Sequence, residues 1–319
     1  MPTIPKGVRG AVITGWGTAV PDKVVTNHDL EKTLDTSHDW IVERSGIHSR
    51  NIGGTTAGLS IESGRRAMQM AGLEPSQIDA LVLATTTPDR AVPGTSAAVQ
   101  HGLGLSCGAY DLNAACSGFV YALVQAHGMI AMGANRVLVI GTDTLSRITD
   151  WDDRNTAVLF ADGSGAVVLE AVDGPGQLMG WDLDADGAAE DFLYCELGGF
   201  IKMEGKEVFR RAVRIMVDSG TKSLDAAGVT ADQIALVVPH QANIRIIQAA
   251  CDRLGIPVEK AATVLHHPGN TSSASIPLAL ADALDNGRVK DGDFVLLVGF
   301  GAGMTAASAL LRWGGKAAS

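Results

Sequence analysis

The stretch Asp111-Leu-Asn-Ala-Ala-Cys-Ser-Gly-Phe119 decides how this chain is expected to fold. A segment of apolar and small residues meets Ser-Gly, and the residues from Phe119 onward follow the pattern of a buried helix. This predicts a strand, a tight turn and a helix, with Cys116 at the helix N-terminus. Because helix N-termini carry partial positive charge and unpaired N–H groups, we expect this position to favour thiolate over thiol. A thiolate there is a nucleophile, and the neighbouring N–H groups can hold an oxyanion.

Two further segments weigh against the simpler interpretation, in which Cys116 is a small buried hydrophobic residue. In Ile234-Ala-Leu-Val-Val-Pro-His-Gln-Ala-Asn243 an apolar strand leads directly into His240, at the strand end where open α/β sheets place reactive groups. In Leu265-His-His-Pro-Gly-Asn-Thr-Ser-Ser-Ala-Ser275, Asn270 follows a Pro-Gly turn and precedes small hydroxyl residues that can start a helix. Each residue alone is more often structural. Three of them at strand-to-helix junctions predict one reactive site.

These segments resemble the condensing enzymes of fatty acid synthesis, of the β-ketoacyl-acyl carrier protein synthase III family. The resemblance covers essentially the whole chain, and the order of the three motifs is specific. Further similar stretches are Thr36–Ile47, Ala84–Pro88, Phe160–Ala166 and Asp291–Gly303.

The resemblance implies a catalytic triad of Cys116, His240 and Asn270. Related thiolases use a second Cys, elongating synthases use two His, and hydroxymethylglutaryl-type synthases add a Glu. Asn270, within Gly-Asn-Thr-Ser, therefore favours the type III synthases, which initiate fatty acid synthesis. The implied fold is α/β, a five-layered α-β-α-β-α thiolase-like fold made of two duplicated halves.

Two pairs of similar segments within the sequence indicate an internal duplication. Residues 71–83 are similar to residues 227–238, and residues 136–142 are similar to residues 293–299. Unbroken apolar strands alternating with helices predict sheets that are buried on both faces. We expect an N-terminal half at residues 1–172, which carries Cys116, and a C-terminal half at 173–319, which carries His240 and Asn270. Residues 173–200, polar and Gly-rich, are expected to form the connecting loop over the site entrance.

Composition sets outer limits on function. The 319 residues are 46% hydrophobic and include 38 glycines, which is typical of a densely packed α/β enzyme. No apolar run is long enough for a membrane span, and no signal segment is evident, so we expect a cytoplasmic protein. The four cysteines lack metal-like pair spacing. A net charge of −10 argues against nucleic-acid binding.

The resemblance also assigns binding residues. An oxyanion hole is implied at the backbone N–H groups of Cys116 and Ala302. CoA binding is implied for Trp40, Arg44 and Arg154, because a Trp face and an Arg plane can sandwich an adenine. Carrier-protein docking is implied for Arg210, Arg245 and Arg253, which would give an acidic protein a local basic patch for an acidic partner.

Two positions bear on the acyl substrate. Phe160 is expected to pack near the nucleophile as a gate. Val92 stands where acetyl-specific relatives carry Phe, and in the family that residue reaches the partner subunit's acyl pocket. The smaller Val predicts a deeper pocket and primers longer or more branched than acetyl. A homodimer is implied by resemblance.

The expected function is condensation of an acyl-CoA primer with malonyl-acyl carrier protein through an S-acyl-Cys116 intermediate, with no cofactor beyond the thioester substrates. One alternative keeps the fold and the triad but acts in secondary metabolism with another second substrate. A second alternative is a non-catalytic scaffold, against which the intact triad argues.

Overall fold

The fold consists of two sheets and the helices that cover them. The computed structural model describes residue 4 and residues 7–315. The strands in this part of the chain are β1 Gly10–Ala19, β2 Val24–Thr26, β3 Ser49–Asn51, β4 Ala80–Ala84, β5 Gly108–Leu112, β6 Arg136–Thr144, β7 Asp162–Val172, β8 Leu178–Ala185, β9 Leu193–Cys195, β10 Ile201–Met203, β11 Ile234–Pro239, β12 Phe294–Gly301 and β13 Thr305–Arg312. The α-helices are α1 Asn27–Leu30, α2 His38–Ser45, α3 Thr56–Ala71, α4 Thr95–Gly102, α5 Gly118–Ala131, α6 Arg154–Ala157, α7 Gly205–Ala227, α8 Ile244–Leu254 and α9 Ser275–Asp285.

The two large sheets have the same strand order and the same strand directions. The first runs β5-β4-β6-β7-β1, with β4 parallel to β5 and β6, and β7 antiparallel to both of its neighbours. The second runs β11-β12-β13-β8, with β11 parallel to β12, and β13 antiparallel to both of its neighbours. A fifth strand is reduced to one parallel bridge between Val237 and Ala261. The predicted duplication is therefore confirmed.

Corresponding helices end in the same way. Helix α3 stops at Gly72 with φ 68° and α7 stops at Gly228 with φ 65°. Both glycines adopt the left-handed conformation that a side chain disfavours, and each is followed by a short 3₁₀ turn and a buried strand. The sequence similarity between residues 71–83 and 227–238 reflects this shared unit, in which a helix ends at a glycine and a buried strand follows.

Helices α5 and α9 lie between the two sheets and form the central layer. One buried cluster joins Val82 and Ala84 of β4, Phe119 of α5, Ile276 of α9 and Val238 of β11. Alternate residues face outward, where Leu81 and Leu83 pack with α3 and Val237 packs with α7 and α8. The layers are thus α-β-α-β-α, as expected. Because both sheets are covered on both faces, their strands are continuously apolar.

The connection between the halves differs from the expected loop. Residues 178–185 form β8, the edge strand of the second sheet. Its inward positions include Gly180, which abuts Ser223 of α7, and the buried Asp182. Because a glycine and an aspartate occupy these inward positions, the sequence lacks the alternating apolar residues by which a strand is recognised. The later part, Leu193–Gly198, does border a cavity, and β9 pairs with β10 as a hairpin there.

The strands of the first sheet lie within residues 10–172 and those of the second within 178–312. The boundary at 172/173 stays a prediction, because the central helices join both sheets in one core. Among the described residues, no helix combines the length and apolar character needed to cross a bilayer.

Candidate active site

Cys116 lies in a 3₁₀ turn, Ala115–Ser117, between β5 and α5. Ala115 adopts φ 48°, an unusual conformation for a residue with a side chain, and turns the chain sharply into the helix. The Cys116 sulfur accepts a hydrogen bond from the Ser272 hydroxyl at 3.3 Å. The strand, turn and helix predicted around this residue are all present.

The ionisation of Cys116 differs from the expectation. The pKa of its thiol is raised to about 12, chiefly by burial; the Ser272 hydrogen bond lowers it and the Asp143 carboxylate raises it. Desolvation is therefore the largest influence on its ionisation. The resting residue is a thiol rather than the expected thiolate.

His240 follows β11 and is buried, with 1% of its surface exposed. Its Nδ1 lies 2.6 Å from the Ser275 hydroxyl oxygen, and its ring packs edge-on against Phe300. Burial lowers the pKa of His240 from 6.5 to about 3. The imidazole is therefore neutral at physiological pH.

Asn270 is held on both its backbone and its side chain. Its N–H donates to Leu159 at 3.0 Å and its carbonyl accepts from the Ala161 N–H at 2.9 Å. The carboxamide oxygen accepts from the Ser272 N–H at 3.0 Å. With the oxygen engaged in this way, the NH₂ group is the part of the amide that can donate to another molecule.

The three residues meet in one cavity of about 90 Å³. Cys116 and Phe160 also border a second cavity of about 750 Å³, which is lined by Thr86, Ala91, Ser272, Ala302 and the Leu193–Gly198 segment among others. Phe160 is buried and stands between the two spaces, where it is bridged to Asn270. The sulfur thus faces a narrow channel on one side and a roomy pocket on the other.

The end of β12 approaches the backbone of the nucleophile closely. A side-chain carbon added at Gly301 would lie 2.7 Å from the Cys116 nitrogen. Glycine is therefore required there for the two backbones to meet. Ala302 follows directly and borders the larger cavity together with Cys116.

The residues predicted to bind CoA form a cluster. The Arg154 guanidinium lies 4.7 Å from the centre of the Trp40 ring, and the Arg44 guanidinium lies 5.5 Å from it. Arg154 also bonds to Asp35. Since Arg154 packs directly on the indole, an adenine could enter between them only if this side chain moved.

The residues predicted to dock a carrier protein lie on α7 and α8, which pack together. Arg210, Arg245 and Arg253 are all exposed. Arg210 pairs with Glu207 at 2.6 Å, and Arg245 lies 5.5 Å from the Phe209 ring, which lines the catalytic cavity. Arg245 therefore lies beside the cavity that contains Cys116.

Val92 is not brought into either cavity of its own chain. It is 85% exposed, and its neighbours Arg90 and Ala91, rather than Val92, line the larger space. The predicted role of Val92 in the acyl pocket of the partner subunit stays a prediction.

Three polar residues of the site were missed in the sequence. Ser272 contacts Cys116, Ser275 contacts His240, and Asp143 accepts hydrogen bonds from the turn that contains Ser272. The serines were interpreted only as the start of a helix. Asp143 could have been noticed as a charge within the otherwise apolar strand β6.

A layered fold with a half-buried Cys and a buried His and Asn in one cavity between its halves defines a thiolase-like condensing acyltransferase. The comparisons with known proteins narrow this class. The family model of 3-oxoacyl-[acyl-carrier-protein] synthase III matches residues 110–187, and that of its C-terminal region matches residues 224–313. The chain belongs to this family.

Relatives match along almost the full length. The β-ketoacyl-[acyl-carrier-protein] synthase III of Roseiflexus castenholzii is 47% identical, covering 95% of this chain and 98% of the relative. The crystal structure of 3-oxoacyl-[acyl-carrier-protein] synthase III from Aquifex aeolicus has a TM-score of 0.93 at 42% identity, covering 95% of this chain and all of the other. A priming β-ketosynthase of the R1128 polyketide pathway has a TM-score of 0.90 at 36% identity, covering 97% of each chain.

Proposed function

We propose that this protein catalyses decarboxylative Claisen condensation of an acyl-CoA primer with malonyl-acyl carrier protein, the step that initiates fatty acid synthesis. The single observation that carries the proposal is the meeting of Cys116, His240 and Asn270 in one cavity. Family membership and the near full-length relatives support it.

In the first half-reaction the Cys116 sulfur attacks the thioester carbonyl of acyl-CoA. The S–C bond to the enzyme forms, the bond to the CoA sulfur breaks, and the thiol hydrogen ends on the released CoA. Negative charge develops on the carbonyl oxygen during attack. The backbone N–H groups of Cys116 and Ala302 would hold it, and Gly301 permits their close approach.

In the second half-reaction malonyl-carrier protein loses CO₂ and leaves an enolate on its thioester oxygen. His240 and Asn270 would stabilise this oxygen as two neutral donors. Burial keeps His240 uncharged, and the Ser272 N–H fixes the Asn270 amide with its NH₂ group available. Loss of one such donor raises the barrier by about 3–4 kcal/mol. The carbanion then attacks the acyl carbon on Cys116, the S–C bond to the enzyme breaks, and the released thiolate takes a proton from solvent to regenerate the thiol.

The wider surface supports the choice of substrates. The Trp40, Arg44 and Arg154 cluster would bind the nucleotide of CoA. Arg210, Arg245 and Arg253 would receive the acidic carrier protein, since all three are exposed and Arg245 lies beside the cavity that contains Cys116. We also propose a cytoplasmic homodimer in which Val92 closes the partner subunit's acyl pocket. Phe160, between the two cavities, would gate entry.

A polyketide-priming role is the second candidate, favoured by the likeness to the R1128 priming enzyme. It uses the same triad and differs in the thioester that it accepts. The identity of the second substrate therefore distinguishes the two proposed functions. The candidates to compare are malonyl-carrier protein of fatty acid synthesis, malonyl-CoA, a polyketide carrier protein and a second acyl-CoA.

The proposal is tested by intact-mass measurement after mixing the protein with acyl-CoA. We expect a single acyl adduct that Cys116→Ala abolishes and Cys107→Ala retains, because Cys107 borders neither of the two cavities that Cys116 borders. Malonyl-carrier protein should then convert the adduct to a β-ketoacyl product. Absence of an adduct on the wild-type protein would support the scaffold interpretation.

A further inference from the structure

Among the described residues, Ser272 is the one that hydrogen-bonds to both the nucleophile and the carboxamide of the proposed triad. Its hydroxyl donates to the Cys116 sulfur at 3.3 Å, and its backbone N–H donates to Asn270 Oδ1 at 3.0 Å. The side chain is buried, with 1% exposed, and it borders the larger cavity. Two hydrogen bonds from different parts of one residue thus reach two functional groups.

Ser272 adopts a strained backbone conformation, and hydrogen bonds of the neighbouring residue hold it in place. Its φ is 52°, in the left-handed region that costs a non-glycine residue about 1–3 kcal/mol. The next residue, Ser273, donates to Asp143 Oδ2 from its N–H at 3.0 Å and from its hydroxyl at 2.7 Å. Asp143 Oδ1 accepts from Thr86 and Thr87, which line the larger cavity. A fully buried carboxylate therefore clamps the turn that aims Ser272 at the sulfur.

The Ser272 hydroxyl matters because the sulfur lies in a desolvated site, where burial disfavours the thiolate. The nearby His240 is itself engaged, since its Nδ1 lies 2.6 Å from Ser275 Oγ, which also accepts the Gln241 N–H at 3.2 Å. Among the described residues, Ser272 is the side chain that donates a hydrogen bond to the sulfur, so it can stabilise negative charge there.

We propose that Ser272 is a further catalytic residue of the acylation half-reaction, whose hydroxyl donates to the Cys116 sulfur while that sulfur attacks the thioester. The proposal rests on the proposed function. As the S–C bond forms and CoA departs with the thiol hydrogen, the hydroxyl fixes the sulfur and stabilises negative charge on it. The backbone N–H of the same residue serves the second half-reaction by orienting Asn270.

The two roles separate in Ser272→Ala, because the substitution removes the hydroxyl and keeps the backbone N–H. We expect acylation by acyl-CoA at pH 7 to slow by about tenfold or more, in line with loss of a hydrogen bond to a charged group. Enzyme that has been fully acylated, desalted and mixed with malonyl-carrier protein should condense at a rate within about twofold of wild type. Equal losses in both half-reactions would overturn the proposal, since they would indicate a general structural defect.

A second measurement needs no acyl-CoA and so is independent of the proposed function. The rate of Cys116 alkylation by iodoacetamide, followed between pH 7 and pH 9, reports the thiol directly, provided that Cys107, Cys195 and Cys251 are replaced by Ala in every variant. Ser272→Ala should lower this rate across the profile by about tenfold or more, because less of the thiol ionises. Ser272→Gly should give the same loss, although glycine relieves the positive φ. A rate unchanged in both variants would refute the role.

Thr271→Val provides the matched control. Thr271 is the preceding residue and equally buried, and its hydroxyl has no hydrogen-bond partner among the described residues. The isosteric change should leave the alkylation profile as in wild type. A loss of rate as large as that of Ser272→Ala would attribute the effect to disturbed packing and overturn the proposal. If wild-type protein forms no acyl adduct but Ser272→Ala lowers the alkylation rate, the proposed function fails while the contact between Ser272 and the sulfur is retained.

Discussion

Ser275 Oγ lies 2.6 Å from His240 Nδ1 and holds the orientation of the imidazole. Ser275 is the first residue of α9, so the central helix itself positions the ring. The ring is thereby held at the cavity that it shares with Cys116 and Asn270. Its orientation depends on the start of a helix rather than on a neighbouring acid.

Ser275→Ala is expected to damage condensation more than acylation. The buried imidazole would lose the hydrogen-bond partner of its Nδ1, at a cost of about 1–3 kcal/mol. We expect condensation of pre-acylated enzyme to fall by roughly tenfold or more, and acylation by less than threefold, in single-turnover measurements. Ser63→Ala, a buried serine of α3 bonded to Ser164, should leave both rates unchanged. Equal rates in Ser275→Ala and wild type would contradict the positioning role.

His127 predicts an acid-sensitive stability. It is buried in α5, its Nε2 has no partner among the described residues, and burial lowers its pKa from 6.5 to about 4. Between those values the unfolded chain binds a proton that the folded chain does not. The free energy of unfolding therefore falls as the pH decreases from 6.5 towards 4.

The change His127→Leu should remove this contribution. Urea unfolding at pH 7.5 and pH 5.0 should show that the variant loses less stability on acidification than wild type, by about 2 kcal/mol. His101→Leu, at an exposed position of α4, should behave like wild type. Parallel losses in His127→Leu and wild type would show that His127 does not titrate on unfolding.

Arg154→Ala tests the proposed nucleotide site. Loss of the cation over Trp40 should raise KM for acyl-CoA by about threefold to tenfold with little change in kcat, since cation–π contacts contribute about 0.5–2 kcal/mol. A truncated acyl thioester without the nucleotide should react equally with wild type and variant. Arg65→Ala, which breaks a comparable exposed ion pair on α3, is the control. An equal loss with both thioesters would place the effect at the sulfur rather than at the nucleotide.

Val92 predicts the range of primers. A turnover series from acetyl-CoA to decanoyl-CoA should show wild-type activity well beyond acetyl, because the space beside Cys116 is about 750 Å³ and Val is small. Val92→Phe should shift the preference towards acetyl, while Val20→Phe, at another exposed valine, should not. Strict acetyl preference in the wild type would refute the deeper pocket.

Much of this molecule could be predicted from local patterns. The continuous apolar strands and the glycine helix stops indicate a duplicated layered fold, and the three motifs identify Cys116, His240 and Asn270. Strand β8 was missed because Gly180 and Asp182 occupy its inward positions. Those residues fit only because α7 packs against that strand, which local sequence does not show.

The polar support of the site depends on distances across the fold. Ser272 and Cys116 are 156 residues apart, and Ser273 and Asp143 are 130 residues apart. The charge state of Cys116 was wrong for the same reason. The helix N-terminus is visible in the sequence, but the degree of desolvation depends on how both halves close over the sulfur.

Ala115 and Ser272 occupy matching places, each in a left-handed kink just before one of the two central helices. The two halves therefore place the same kind of turn at corresponding positions, and their side chains distinguish the two turns. One copy supplies the sulfur, and the other supplies the hydroxyl and the carboxamide that lie beside it. The reactive site is thus composite, and neither copy carries all of its groups alone.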